Sequence, residues 1–172
     1  MWRTGDLLGL SDYGANPLAG VPALGSPEEA GPRAAAAPIR PRAMIGPPLM
    51  HGTGMLTAMA ALVAGGTVLL LPQGAFSAAQ LWDIVATYKA TRITIVGQPF
   101  AQPLLEVLDA SPGRWDLSSV MMMTSSGAMW ARENKLGLIR HMPQVTLIDA
   151  FSSSEALGLG SSTMTASAEV AT

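Results

Sequence analysis

The chain has 172 residues, 49% hydrophobic and 13% charged, with a formal net charge of -2 and no cysteine. That is enough for one domain with a substantial core, and too apolar for a disordered polyelectrolyte. The Lys and Arg residues are scattered, which excludes a basic stripe for nucleic acid; zero cysteines exclude disulfides, thiolate metal sites and a Cys nucleophile, and fit a cytoplasmic protein.

Residues 1–20 contain Asp6, Asp12 and several glycines, so no apolar segment there suits a signal peptide. Residues 1–42 read as an irregular lead-in, because Pro, Gly and Ala crowd positions 14–42 and each proline restricts itself and its predecessor. Residues 43–164 are expected to form one α/β unit, followed by a disordered tail over 165–172. A strand is predicted over 43–46, a helix over 53–64 and a strand over 67–71. Gly65-Gly66 ends the helix, so the apolar run from Met55 to Pro72 is a helix and a strand, with no transmembrane segment. Ser77 is the expected N-cap of a helix over 78–88, whose Leu81, Ile84, Val85 and Tyr88 share one face. Then come a strand over 92–96, a helix over 100–109 and a strand over 120–124, with Met121, Met122 and Met123 expected to be buried. A helix over 129–141, a strand over 144–149 and a further strand over 157–163 complete the pattern. Strands alternating with helices predict an α/β fold, a mostly parallel sheet flanked by helices. Ligands of such sheets bind beyond the strand C-termini, here the loops 47–54, 97–99, 125–129 and 150–155.

The unusual polar residues gather in those loops. Phe151 to Glu155 joins an aromatic ring, three hydroxyls and a carboxylate, groups able to stack on a base, hold phosphate oxygens and bind Mg2+. The same residues also describe a Ser-rich turn with a Glu at a helix start. Ser126-Gly127-Ala128 offers small residues beside a ligand, or an ordinary strand-to-helix turn. His51 stands between two prolines and two glycines, as a catalyst or as a cap; His141, in a last helical turn, reads as a capping residue. The two histidines have no metal-ligand spacing, and no nucleophile elbow, Walker phosphate loop or dinucleotide fingerprint occurs.

Three of these loops together resemble the adenylate-forming superfamily of acyl-CoA synthetases, peptide-synthetase adenylation domains and luciferases. Pro48 to Gly54 is similar to its Pro-Leu-x-His-x-x-Gly segment, Ser126 to Met129 to its Ser-Gly-Gly-Ala-x segment, and Phe151 to Glu155 to its Tyr-Gly-x-Thr-Glu segment. Ser125 to Trp130 and Trp115 to Ser119 resemble the branch acting on fatty acids and sterol side-chain acids. The resemblance implies ATP, Mg2+ and CoA as cofactors and a carboxylic acid as substrate. It implies His51 beside the acyl carbonyl, Ser126, Gly127, Ala128 and Phe151 around adenine, Ser154 on the α-phosphate, and Glu155 as catalytic residue and Mg2+ ligand. Gly97-Gln98-Pro99 falls where the family lines its acyl pocket. Ser152 departs from the family's Gly, and Ser154 keeps the hydroxyl of its Thr. Trp2 to Asp6 spells a ribose-binding segment out of its family order, so Asp6 is not expected to be a ribose ligand.

The resemblance covers a middle part of the family's large N-terminal domain, without its phosphate loop or C-terminal lysine domain. The chain is therefore expected to be a fragment, inactive by itself. A catalytically dead truncated product, a stand-alone nucleotide- or acyl-binding module and an adenylating enzyme that does not use CoA remain as alternatives.

Overall fold

The computed structural model describes residues 24–151 and 160–167. A short 3-10 turn at Pro27–Glu29 and the helix α1 (Ala30–Ala36) lie in the lead-in that the sequence predicts to be irregular. The run Ala34 to Ala37 supplies the strongest helix former, and Pro32 falls in the first turn, where no N–H is needed. The predicted tail lies outside the described residues from position 168 onward.

The alternation then follows as β1 (Arg42–Ile45), α2 (Gly52–Val63), β2 (Thr67–Leu70), α3 (Ala78–Tyr88), β3 (Arg92–Ile95) and α4 (Gly97–Ala110). It continues with β4 (Met122–Ser126), α5 (Arg132–His141), β5 (Thr146–Phe151) and β6 (Gly160–Met164). The sheet order is β2-β1-β3-β4-β5-β6, parallel throughout except for the antiparallel pair β5–β6. The expected mostly parallel α/β sheet is therefore present.

The chain leaves β1 in one direction to form β2, then returns past β1 to build β3, β4 and β5 in the other. The strand order thus reverses between β1 and β3, the place where open α/β sheets bind ligands. Right-handed crossovers put α2 on one face and α3, α4 and α5 on the other. Side chains in β1 alternate accordingly. Met44 joins the large core of Leu81, Trp82, Val85, Leu104, Leu138 and Leu147, while Ala43 and Ile45 pack against Ala58 and Ala61 of α2.

Local signals hold this arrangement. Gly65 N–H bonds to Leu62 O and Gly66 N–H to Ala61 O, which closes α2 with the two bonds of a Schellman cap. The Ser77 hydroxyl accepts from Gln80 N at 3.3 Å, as an N-cap should. Tyr88 is 57% exposed, against expectation, because the turn of α3 toward the core is filled by Trp82, whose indole donates to Leu104 O at 3.0 Å. Met121 is exposed too, since it precedes β4 and only Met122 and Met123 enter the sheet. Among the described residues no helix is long and apolar enough to cross a membrane.

Candidate active site

The four loops singled out in the sequence follow β1, β3, β4 and β5, and three neighbour pairs join these strands in the sheet: β1–β3, β3–β4 and β4–β5. Their loops therefore open side by side on one edge. After β1, the chain turns through Pro47-Pro48, with His51 N donating to Pro48 O at 2.9 Å. His51 is the N-cap of α2, its ring Nδ1 accepting from Thr53 N at 3.2 Å. The capping role is thus real, and it has a chemical consequence. An Nδ1 that accepts carries no proton, so a neutral ring must hold its proton on Nε2, free to donate outward. Gly54 lies in the first turn of α2, where a Cβ would be 2.6 Å from Pro48 O; only glycine lets the helix start this close to the double proline.

After β3, Gly97 takes a φ of 53°, a conformation open to glycine. Its N–H donates to the buried hydroxyl of Ser125 at 2.8 Å, and Gln98 N donates to Met129 O at 2.8 Å. The two loops are packed backbone to backbone, since a Cβ on Gly97 would be 2.7 Å from Ala128 O. This bonding starts α4 at Gly97, earlier than predicted, and delays α5 to Arg132, because residues 127–131 are held as a loop.

After β4, Gly127 faces the His51 loop. A Cβ there would be 3.5 Å from His51 Cε1 and 3.7 Å from Thr53 Oγ1. The sequence-predicted residues His51 and Gly127 are thereby brought together, with Ala128 next in the loop. Ser126 is only 3% exposed, and its backbone pairs with Ala150 of β5. Phe151 ends β5 and is 72% exposed. Ser154 and Glu155, the predicted phosphate and Mg2+ residues, lie outside the described residues, as does Asp6. Among the described residues no group of three or more His, Asp or Glu side chains is placed to hold a metal.

The rim of this edge is apolar. Met50 is 95% exposed and Met129 81%, and Leu49 and Met55 also face outward. Beneath the rim, Lys135 pairs with Asp149 at 3.0 Å, and its ammonium lies 5.3 Å from the centre of the Trp130 ring. The Trp130 indole N–H is buried with no partner among the described residues.

The strongest electrostatic perturbation lies elsewhere. Asp116, in the loop before β4, is held well below the usual carboxylate range by hydrogen bonds from the Lys89 ammonium and from Ser118. It fastens the opposite edge of the sheet. Burial lowers the Arg92 pKa at the start of β3. His141 lies in the last turn of α5, and its Nε2 meets Asp109 Oδ1 at 2.7 Å, tying α5 to α4.

Sequence reasoning placed Gln98 and Ser125 in the site loops without their bonding roles, and missed Asn134. Gln98 bonds Ala131 N and Asn134 across α4 and α5, and Asn134 is 5% exposed. The one local signal was an Asn inside an otherwise helical stretch, and its partner is too distant in sequence to be read.

Residues 24–171 match the AMP-binding enzyme family. The chain is 32% identical over 123 residues to a medium/long-chain-fatty-acid–CoA/3-oxocholest-4-en-26-oate–CoA ligase of Mycolicibacterium smegmatis, a match covering 70% of this chain and 22% of that protein. It is 32% identical over 158 residues to the medium-chain acyl-CoA ligase Mig of Mycobacterium avium, covering 90% of this chain and 28% of that one. The chain thus spans roughly a quarter of the length of these relatives. Among solved structures, a luciferase-like enzyme of the mealworm Zophobas morio superposes with a TM-score of 0.63 at 18% identity, over 79% of this chain and 30% of that one. A long-chain-fatty-acid-CoA ligase of Archaeoglobus fulgidus gives 0.59 at 17% identity, over 79% and 28%. At these identities the structures establish the fold.

Proposed function

This chain belongs to the AMP-binding enzyme family, and on that footing we propose that its loops after β1, β3, β4 and β5 form part of a site that activates a carboxylic acid as its acyl-adenylate and transfers it to CoA. One observation carries the reading: the His51 cap and the Gly127 loop, remote in sequence, meet at the edge where the strand order reverses. The names of the relatives support a medium- or long-chain fatty acid, or a sterol side-chain acid, as the acyl group. The apolar rim of Met50, Leu49, Met55 and Met129 agrees with such a substrate, since unbranched thioether side chains adapt to varied apolar shapes. ATP and CoA as substrates are consistent with a cytoplasmic protein.

In this reading a carboxylate oxygen attacks the α-phosphorus of ATP and pyrophosphate leaves with the electron pair. The CoA thiolate then attacks the acyl carbonyl carbon and AMP leaves. The chain's residues bind and orient. Gly127 and Ala128, following Ser126, give adenine a close backbone approach, and the exposed Phe151 ring offers a stacking face. Ser154 donates its hydroxyl to the α-phosphate. His51, with its proton on Nε2, donates to an oxygen of the reacting acyl group and so stabilises charge that develops there. Glu155 is a hard oxygen donor of the kind Mg2+ takes singly alongside phosphate oxygens and water, and that ion would neutralise triphosphate charge.

The test is acid-dependent ATP–pyrophosphate exchange in the protein carrying this chain, with Glu155→Ala beside the wild type. Loss of exchange in the variant at unchanged melting temperature is expected. Near-normal exchange would remove Glu155 from the role.

A further inference from the structure

Between α4 and α5 runs a chain of side-chain amides whose direction is fixed at both ends. At one end Ala131 N–H, which can only donate, meets Gln98 Oε1 at 3.2 Å. Gln98 must therefore turn its amino group the other way, and Nε2 donates to Asn134 Oδ1 at 2.7 Å and to Gln102 Oε1 at 3.1 Å. At the other end Gln102 Nε2 donates to the Glu106 carboxylate at 2.7 Å, which leaves Gln102 Oε1 to accept from Asn134 Nδ2 at 2.8 Å. Each amide nitrogen meets an acceptor and each amide oxygen a donor, so only one set of amide orientations fits. The outer half of the network, at Gln102 and Glu106, is exposed. The inner half is not: Gln98 is half-buried and Asn134 nearly fully buried.

The backbone repeats the connection. Gln98 N donates to Met129 O and Gly97 N to Ser125 Oγ. Gln98 thus holds residues 129 and 131 at once, one through its main chain and one through its side chain, on a loop that is neither helix nor strand. We propose that Gln98 is a positioning residue whose side-chain amide locks the loop of residues 127–131 to the N-terminus of α4, and so sets the geometry in which that loop meets a nucleotide. The inference rests on the nucleotide-site reading above. It adds a supporting contact behind the residues that would touch ligand, where a displacement of about 1 Å is enough to lower activity severely.

Three variants of the full chain separate the outcomes. Gln98→Leu keeps the volume and removes all three side-chain bonds. Gln98→Glu keeps an oxygen for Ala131 N but replaces the donor to Asn134 and Gln102 by a carboxylate oxygen. Ala131→Pro removes that N–H at a residue whose φ of -61° already suits proline, and so tests the contact without emptying the space at Gln98. Hydrogen–deuterium exchange is expected to rise about tenfold across residues 127–131 in Gln98→Leu, with α3 and β3 unchanged, and to rise in Gln98→Glu as well, because a carboxylate oxygen there faces Asn134 Oδ1 and Gln102 Oε1. AMP affinity is expected to fall about tenfold in Gln98→Leu and in Ala131→Pro, and to fall in Gln98→Glu too. Protection of the loop unchanged in Gln98→Leu would overturn the proposal, as would loss spread evenly over the sheet. If Gln98→Leu does not fold, Ala131→Pro decides: unchanged AMP affinity there refutes the clamp. A wild type that binds no AMP although Gln98→Leu loosens the loop would instead overturn the proposed function and leave the clamp standing.

Discussion

Replacing Gly54 by Ala tests whether the close approach at the start of α2 is what keeps His51 in place. An added Cβ would sit 2.6 Å from Pro48 O, 3.0 Å from Pro47 O and 3.2 Å from Pro48 C. All three are backbone atoms of a double proline, and Pro48 O is already engaged by His51 N at 2.9 Å. No side chain can swing aside, so the turn itself must shift and carry His51 with it. Overpacking of this kind costs about 1–3 kcal/mol. Against it stands the helix propensity gained by Gly→Ala, at most ~1 kcal/mol and less in a first turn. A net loss of about 1–2 kcal/mol follows, and each ~1 kcal/mol lowers the melting midpoint of a chain this size by roughly 2–4 °C. Gly31→Ala is the control: it is also helical, and nothing beyond its immediate chain neighbours and its own helix backbone lies within 4 Å of its Cβ position. Thermal melts should show Gly54→Ala below wild type and Gly31→Ala at or above it. A Gly54→Ala protein that melts higher than wild type would refute the reasoning, because propensity would then have outweighed the clash.

Two further predictions concern charges. The Lys135–Asp149 pair is largely buried, at 12% and 26% side-chain exposure, so Asp149→Ala leaves a cation without its partner and should cost about 2–3 kcal/mol, below the ~3–5 kcal/mol of a fully buried pair. Urea midpoints of Asp149→Ala and of the Lys135→Met/Asp149→Leu double variant check this; a double variant as unstable as the single one would contradict it. The Asp116 carboxyl is lowered by Lys89 first and Ser118 second. Its contribution is therefore full above the unfolded carboxylate value of ~3.9 and is lost as pH falls through the lower folded value. Asp116→Asn should be less stable than wild type at neutral pH, with a smaller deficit at about pH 3; equal deficits would contradict the assignment.

Much of the fold is legible in the sequence because its signals are local. Gly65-Gly66 marks the end of α2, Ser77 marks the start of α3, and β-branched runs such as Arg92–Ile95 mark buried strands. Misplaced boundaries share one cause, tertiary bonding overriding local pattern. The Gly97 and Gln98 amides are recruited by Ser125 and Met129, which begins α4 early and keeps residues 127–131 out of α5. Tyr88 followed the helical period of Leu81, Ile84 and Val85, yet Trp82 took the buried place through a bond to a carbonyl 22 residues away. At the candidate site, His51 and the Gly127 loop stand out as residue types in strand-end loops. Their meeting depends on β1 and β4 flanking β3, which the sequence pattern does not state. The bonding of Gln98 was hidden for the same reason, since its partners Ala131 and Asn134 come from the start of the next helix.

The central claim is that the edge formed by the ends of β1, β3, β4 and β5 binds a nucleotide. Photolabelling of the protein carrying this chain with 8-azido-ATP, followed by peptide mapping, tests it most directly. Label in residues 125–131 and 150–155, displaced by excess ATP, is the predicted result. ATP-sensitive label confined to the opposite edge, around Lys89 and Asp116, would contradict the account.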